Sequence, residues 1–186
     1  MIYINDRLYD FDFDAALPKL SSQRREQALR YRFELGRRTS VAAYLLLCEG
    51  LRQEYGIYEP PVFEYNEHGK PSIVGRPDIH FSLSHCKEAA ICAVCDHPVG
   101  IDVEYIRRYE DSLARYTMNE RELQQIAADE RPDLAFMRLW TQKEAVFKFL
   151  GTGIDNNIKT VLDNNPPPLT TIVSPDSRYV YSFTQI

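Results

Sequence analysis

Two stretches of this sequence carry side chains suited to holding and moving charge. The first is Gly100-Ile101-Asp102-Val103-Glu104. On a strand, Val99, Ile101 and Val103 turn one way into a core. Asp102 and Glu104 turn the other way together, ~7 Å apart along the chain. Carboxylates at that separation can lean onto one hard cation. Gly100 is expected to leave that face open for a bulky ligand. The same alternation also suits a solvated surface strand. The second stretch is Trp140-Thr141-Gln142-Lys143-Glu144-Ala145-Val146-Phe147-Lys148. A helical period puts Trp140, Glu144 and Lys148 on one stripe. Leu139, Val146, Phe147 and Leu150 supply buried surface. Read alone, Glu144 and Lys148 make an exposed ion pair one turn apart, a weak contact in water.

Two shorter patterns suit anions. Ser82-Leu83-Ser84-His85-Cys86 ends a strand, where Ser84 and His85 offer hydroxyl, ring and backbone donors to a phosphate. A histidine that simply ends the strand is the alternative. Cys86 and His85 make no catalytic dyad, because adjacent strand residues point apart. Gly69-Lys70-Pro71 presents an ammonium from a turn.

The elements that must position these groups follow from pattern. Residues 2–4 form a short strand. Residues 21–55 lack proline and read as two helices broken near Gly36, the second amphipathic. Residues 63–65 lead into the turn at 66–71. Strands are expected at 79–85, 89–95 and 99–106. Asn119 and Glu122 are spaced as a capping box for a helix to about Asp129. Pro132 opens a longer helix that Gly151 and Gly153 end. Residues 158–162 read as a strand, and 169–173 with 179–183 as a hairpin. Helices and antiparallel strands mix without a βαβ rhythm, so the class is α+β.

The 186 residues suit one domain or two small lobes. A formal net charge of -5 gives no global footprint for nucleic acid. No apolar run reaches the ~18 residues of a membrane span. The start, Met-Ile-Tyr-Ile-Asn-Asp, has no basic flank or cleavage site, so a cytoplasmic protein is expected. Cys92 and Cys95 sit three apart on a strand and face opposite ways, which argues for buried thiols rather than a zinc or redox pair.

In this order and spacing, the patterns at 66–71, 81–85, 100–104 and 140–148, followed by Gly151, resemble the 4′-phosphopantetheinyl transferase superfamily, in its larger, surfactin-type branch. The resemblance runs from about Arg24 to Gly153. It implies two similar lobes related by a pseudo-twofold axis, 1–97 and 98–186, with coenzyme A in the cleft between them. It implies Mg²⁺ held by Asp102, Glu104 and Glu144 against the pyrophosphate. Glu144 is ligand, general base or both, and Lys148 serves the departing phosphate. Lys70, Ser84 and His85 are implied contacts of coenzyme A, joined by Arg24, Arg38 and Thr39. The first helix departs from the family pattern, with arginine or glutamine at its expected lysines. The implied partner is an apo carrier protein, met by Arg107, Arg108, Arg115 and Arg121, and the implied state is a monomer. The alternatives are an inactive module that binds coenzyme A or carrier protein, and another Mg²⁺-dependent phosphoryl-transfer enzyme.

Overall fold

A computed structural model describes residues 1–184. Its core is two three-stranded antiparallel sheets, each backed by a long helix. The first sheet has the order β1 (Ile2–Asn5), β5 (Ala90–Cys95), β4 (His80–His85). The second has the order β6 (Ile101–Tyr105), β8 (Tyr179–Thr184), β7 (Leu169–Val173). A small hairpin, β2 (Phe63–Tyr65) and β3 (Pro71–Ile73), stands apart from both. The class is α+β. The division between 97 and 98 leaves one sheet and one long helix on each side.

Helix α3 (Glu34–Tyr55) lays Val41, Tyr44, Leu47 and Leu51 against Phe81, Cys92 and Val94. Gly56 ends it at φ 64°, a left-handed turn that glycine adopts without a Cβ penalty. Helix α6 (Pro132–Leu150) opens on Pro132 and ends at Gly151, φ 72°. Its two buried flanks hold Phe136 and Met137 on one side and Val146 and Phe147 on the other. The sheets are joined by a third apolar cluster: Ile91 and Ala93 from β5, Ile101 and Val103 from β6, and Tyr179 and Tyr181 from β8. Cys92 and Cys95 fall in different clusters on opposite faces of β5.

Three local expectations are corrected. The helical break lies at 30–33, between α2 (Ser22–Leu29) and α3, rather than near Gly36. Gly36 sits in the first turn of α3 because a Cβ there would stand 2.8 Å from the Tyr31 ring. Residues 158–162 form no strand. Asn156–Lys159 is a 3-10 turn capped by Asp155, and it presses Ile158 and Val161 onto α6. A short apolar run does not reveal its own period, and here the cap decides. Two helices lie outside the expected set: α1 (Phe13–Ala16) and α4 (Asp111–Thr117). The capping box at Asn119 and Glu122 opens α5 (Glu120–Ala128) with both reciprocal bonds made.

Gly100 is the fourth correction. Its missing side chain faces helix α6 rather than a ligand. A Cβ there would lie 2.0 Å from the Ala145 carbonyl oxygen and 2.5 Å from the Phe149 nitrogen. Backbone atoms of a packed helix cannot step aside as a side-chain tip can. Glycine thus sets how closely α6, and the acid and lysine it carries, approach β6. Gly100→Ala is expected to lower unfolding free energy by about 1–3 kcal/mol, as overpacking does. Urea denaturation checks this, and unchanged stability refutes the close-approach argument.

Candidate active site

The centre of the site is Asp102 on β6, whose residue is only 4% exposed. Its Oδ1 accepts two bonds, from the Ser84 hydroxyl at 2.7 Å and from the Lys148 ammonium at 2.7 Å. Its Oδ2 is buried with no partner. The Ser84 oxygen also accepts the Val103 N–H at 3.2 Å, and Ser82 accepts the Ile101 N–H at 3.1 Å. Strands β4 and β6 belong to different sheets, so these two hydroxyls satisfy backbone donors that no neighbouring strand reaches. Ser84→Ala removes one donor from Asp102 and one acceptor from Val103. A loss of about 1–3 kcal/mol is expected, the cost of stranding buried polar groups. Thermal melts check it, and a wild-type melting temperature counts against this bonding.

Glu104 lies two residues on. The Trp140 indole N–H approaches its Oε1 at 3.4 Å, and Arg107 stands 3.7 Å from its Oε2. Burial raises the Glu104 carboxyl above its ordinary range, and the charge of Asp102 adds to this. Glu144 comes from α6. Burial pushes its carboxyl up to about 7, with Asp102 the next cause and Glu104 a smaller one. The charge of Asp102 thus acts on both Glu104 and Glu144. Lys148, one helical turn past Glu144, gives its bond to Asp102, which replaces the exposed Glu144–Lys148 pair expected from spacing alone.

Among the described residues, no three His, Cys, Asp or Glu side chains are gathered in a metal-ligating array. The donor set still fits a hard divalent cation chemically. It consists of carboxylate oxygens, one of them buried and unbonded, in a place where burial and like charge penalise the ionised form. Asp102, Glu104 and Glu144 are the side chains that would hold such an ion.

A cleft of about 240 Å³ opens beside these groups, lined by Lys70, Ser82, Leu83, Glu144, Phe147 and Lys148 among others. Lys70 arrives on the turn that precedes β3. Asn66 Oδ1 accepts the His68 and Lys70 N–H groups at 3.0 and 2.8 Å, which fixes that turn. Asn66 Nδ2 donates to the Gly151 carbonyl at 2.8 Å, and Lys70 Nζ donates to the Phe149 carbonyl at 2.9 Å. The turn thus caps the carboxyl end of α6, where an ammonium is favoured by the helix dipole. Burial lowers the Lys70 pKa.

His85 lines a second cleft with Tyr31, Thr39 and Cys86. Burial pushes its ring down to about 4, and the charges of Lys148 and Arg24 add to this. The ring is therefore neutral near pH 7. Its Nε2 stands 3.5 Å from the Tyr31 hydroxyl. Cys86 lies beside it, but burial pushes the thiol up to about 11, which leaves it unreactive. Thr39 is buried and donates to the Gly36 carbonyl at 3.1 Å.

Arg24 and Arg38 are not brought to these clefts. Arg24 is buried at the α2–α3 contact, where it donates to Gln27 and to the Ser40 carbonyl and hydroxyl. Arg38 pairs with Glu34 at 2.7 Å and lies against the rings of Tyr9, Phe11 and Phe13. The resemblance implied both, but the aromatic residues that lie against Arg38 have no periodic signal.

Sequence reasoning also passed over Lys143, the residue before Glu144. Its side chain is fully buried, with its ammonium 2.8 Å from Glu122 and donating to the Ile158 carbonyl at 2.6 Å. A lysine at a core position of α6 was the available signal. Its partner lies on another helix and is invisible to spacing.

Residues 98–185 match the model of a family described as the 4′-phosphopantetheinyl transferase superfamily. Over that stretch the chain is similar to this superfamily. It is 32% identical over 146 residues to the 4′-phosphopantetheinyl transferase psf-1 of Bacillus pumilus, covering 77% of this chain and 63% of that one. It is 37% identical over 144 residues to the HetI transferase of Nostoc, covering 73% and 61%. It is 27% identical over 157 residues to the Sfp transferase of Bacillus subtilis strain 168, covering 82% and 70%. The matched stretch thus spans less than two thirds of the psf-1 and HetI relatives. The family-model match at 98–185 includes β6 and α6, the two elements that carry Asp102, Glu104, Glu144 and Lys148.

Proposed function

We propose that this chain transfers the 4′-phosphopantetheine group of coenzyme A to a serine of an apo carrier protein. The observation that supports this reading is the bond from Lys148 on α6 to Asp102 on β6, with Glu144 and Lys148 lining the adjoining cleft. The names of the curated relatives support the reaction class.

The serine hydroxyl of the carrier attacks the phosphorus that bears pantetheine. A new P–O bond forms, the anhydride P–O bond breaks, and adenosine 3′,5′-bisphosphate leaves. Glu144 accepts the hydroxyl proton. Its carboxyl, held up to about 7, is basic enough to take a proton and still ionised in useful measure near neutrality. Lys148 meets the negative charge of the departing phosphate. Asp102, Glu104 and Glu144 would hold Mg²⁺, which would supply neutralisation of the charge on the pyrophosphate. Lys70 and the neutral His85 ring are read as contacts for phosphate oxygens of coenzyme A, from the two clefts they line. We assign Ser84 chiefly to holding Asp102, since its one proton is already given there.

The two sheet-and-helix halves are read as lobes related by a pseudo-twofold axis, and the protein as a cytoplasmic monomer. Among the described residues no helix is long and apolar enough to cross a membrane. An acidic carrier would meet Arg107, Arg108 and Arg115. Arg121 is already paired with Asp163 and is left out of that patch.

The test is a mass measurement. The protein is mixed with coenzyme A, Mg²⁺ and several apo carriers. A gain of one phosphopantetheine on serine is the expected result. Binding without a mass gain points to an inactive module, and cleavage of coenzyme A without carrier modification points to a hydrolytic phosphoryl-transfer enzyme. Either outcome overturns the proposal.

A further inference from the structure

The Lys148 ammonium is bonded to Asp102, the acid put forward above as a metal ligand. Asp102 Oδ1 is already saturated by Ser84 and Lys148, while Oδ2 is shut in without a partner. A buried carboxylate with an unbonded oxygen is costly, and the Lys148 charge is what offsets it. The charge of Asp102 also reaches two further carboxyls, Glu104 and Glu144. Lys148 is the only ammonium or guanidinium bonded to Asp102 among the described residues. It is also the movable partner, because its side chain is 30% exposed and reaches in on a flexible stem, while Asp102 is fixed on a central strand.

We propose that Lys148 is a built-in stand-in cation: it and a divalent metal ion are alternative occupants of Asp102, and metal entry releases the Lys148 ammonium into the cleft shared with Lys70 and Glu144. The inference rests on the Asp102, Glu104 and Glu144 metal site put forward above. It adds an order of events and a regulation. Without a metal ion, the lysine closes the acidic site and holds α6 against β6. Once the ion takes Asp102, the ammonium is free one turn from Glu144, on the wall where an anionic leaving group departs. One side chain is then tied down or available according to the metal. A phosphate-bearing ligand would meet a free cation only after the site is loaded.

The test uses metal alone as the probe. Mn²⁺ binding to the full chain, without coenzyme A, is followed by electron paramagnetic resonance. Lys148→Met keeps the stem and removes the charge. Its Mn²⁺ affinity is expected to rise by about tenfold or more, the scale of a lost charge-assisted competitor. Equal or weaker affinity in a folded variant overturns the proposal, as does Mn²⁺ binding by neither protein. The wild-type chain gives a second readout that needs no variant. The nitrogen-15 ammonium signal of Lys148, slowed in exchange by its bond to Asp102, is expected to weaken or shift on Mg²⁺ addition. A signal unchanged at saturating Mg²⁺ refutes the exchange of partners. Failure here is separable from failure of the transferase reading. Carrier modification with unchanged Mn²⁺ affinity sinks only the stand-in role, and tightened Mn²⁺ binding without carrier modification sinks only the transferase.

Discussion

Glu144→Gln is expected to reduce carrier modification by about 10²–10⁴-fold, the range a positioned general base contributes. The amide keeps the shape of the side chain but cannot take the serine proton or ligate a cation as a carboxylate does. The fold should not suffer. Burial and the neighbouring charge of Asp102 already disfavour the ionised form of Glu144. A neutral amide relieves that penalty, so the variant is expected to melt at or above the wild-type temperature at pH 8. The sign follows from linkage. An acid whose pKa is raised on folding withdraws stability as pH climbs from its unfolded value of about 4.5 toward about 7, and glutamine does not titrate. Turnover and melting temperature, measured on the same preparation, separate the two effects. Near-wild-type turnover in a folded Glu144→Gln protein would remove Glu144 from its proposed role.

Lys143→Met should have the largest effect on stability. Lys143 and Glu122 are both inaccessible to water and 2.8 Å apart. Breaking a buried pair by removing one partner costs about 3–5 kcal/mol, because the other charge stays behind. Here Glu122 would keep only the Asn119 N–H, which bonds the same oxygen that faced Lys143. The Ile158 carbonyl would lose its ammonium donor as well. A loss of that size is a large share of the ~5–15 kcal/mol that holds a domain together. The double variant Lys143→Met, Glu122→Leu is expected to recover much of it, since no isolated charge remains. Urea unfolding of the two single variants and the double one gives the coupling directly. If the double variant is no better than Lys143→Met, the stranded carboxylate is not the cause.

The two effects concern neighbouring residues of one helix. Glu144 looks into the cleft and Lys143 into the core, about 100° apart around α6. The pair between Lys143 and Glu122 fastens α5 to α6, and the chain of hydroxyls from Thr141 to Ser182 and Thr171 fastens α6 to β8 and β7. Gly100 sets the remaining distance, between α6 and β6. The register of Glu144 and Lys148 over Asp102 thus depends on contacts made by residues that touch no substrate.

Much of this protein could be read in one dimension. Alternation at 99–104 put Asp102 and Glu104 on one face and Ile101 and Val103 on the other, and the strand obeys it. The capping box at Asn119 and Glu122, the proline start and glycine stop of α6, and the turn at 66–71 are local devices, legible because their partners lie within a few residues. The order of motifs was enough to point to the superfamily. Other features depended on partners far along the chain. Spacing paired Lys148 with Glu144, but the fold gave Lys148 to Asp102, 46 residues away. Glycine at 100 read as room for a ligand, but the fold used it to admit a helix backbone. Ser84 read as a phosphate contact, but its proton went to Asp102 across the gap between two sheets. Arg38 was implied as a contact of coenzyme A, but the rings of Tyr9, Phe11 and Phe13 lie against it. Local order is a matter of period and capping, which a sequence states outright. The partner of a buried charge is settled only when packing has removed water and left one group within reach.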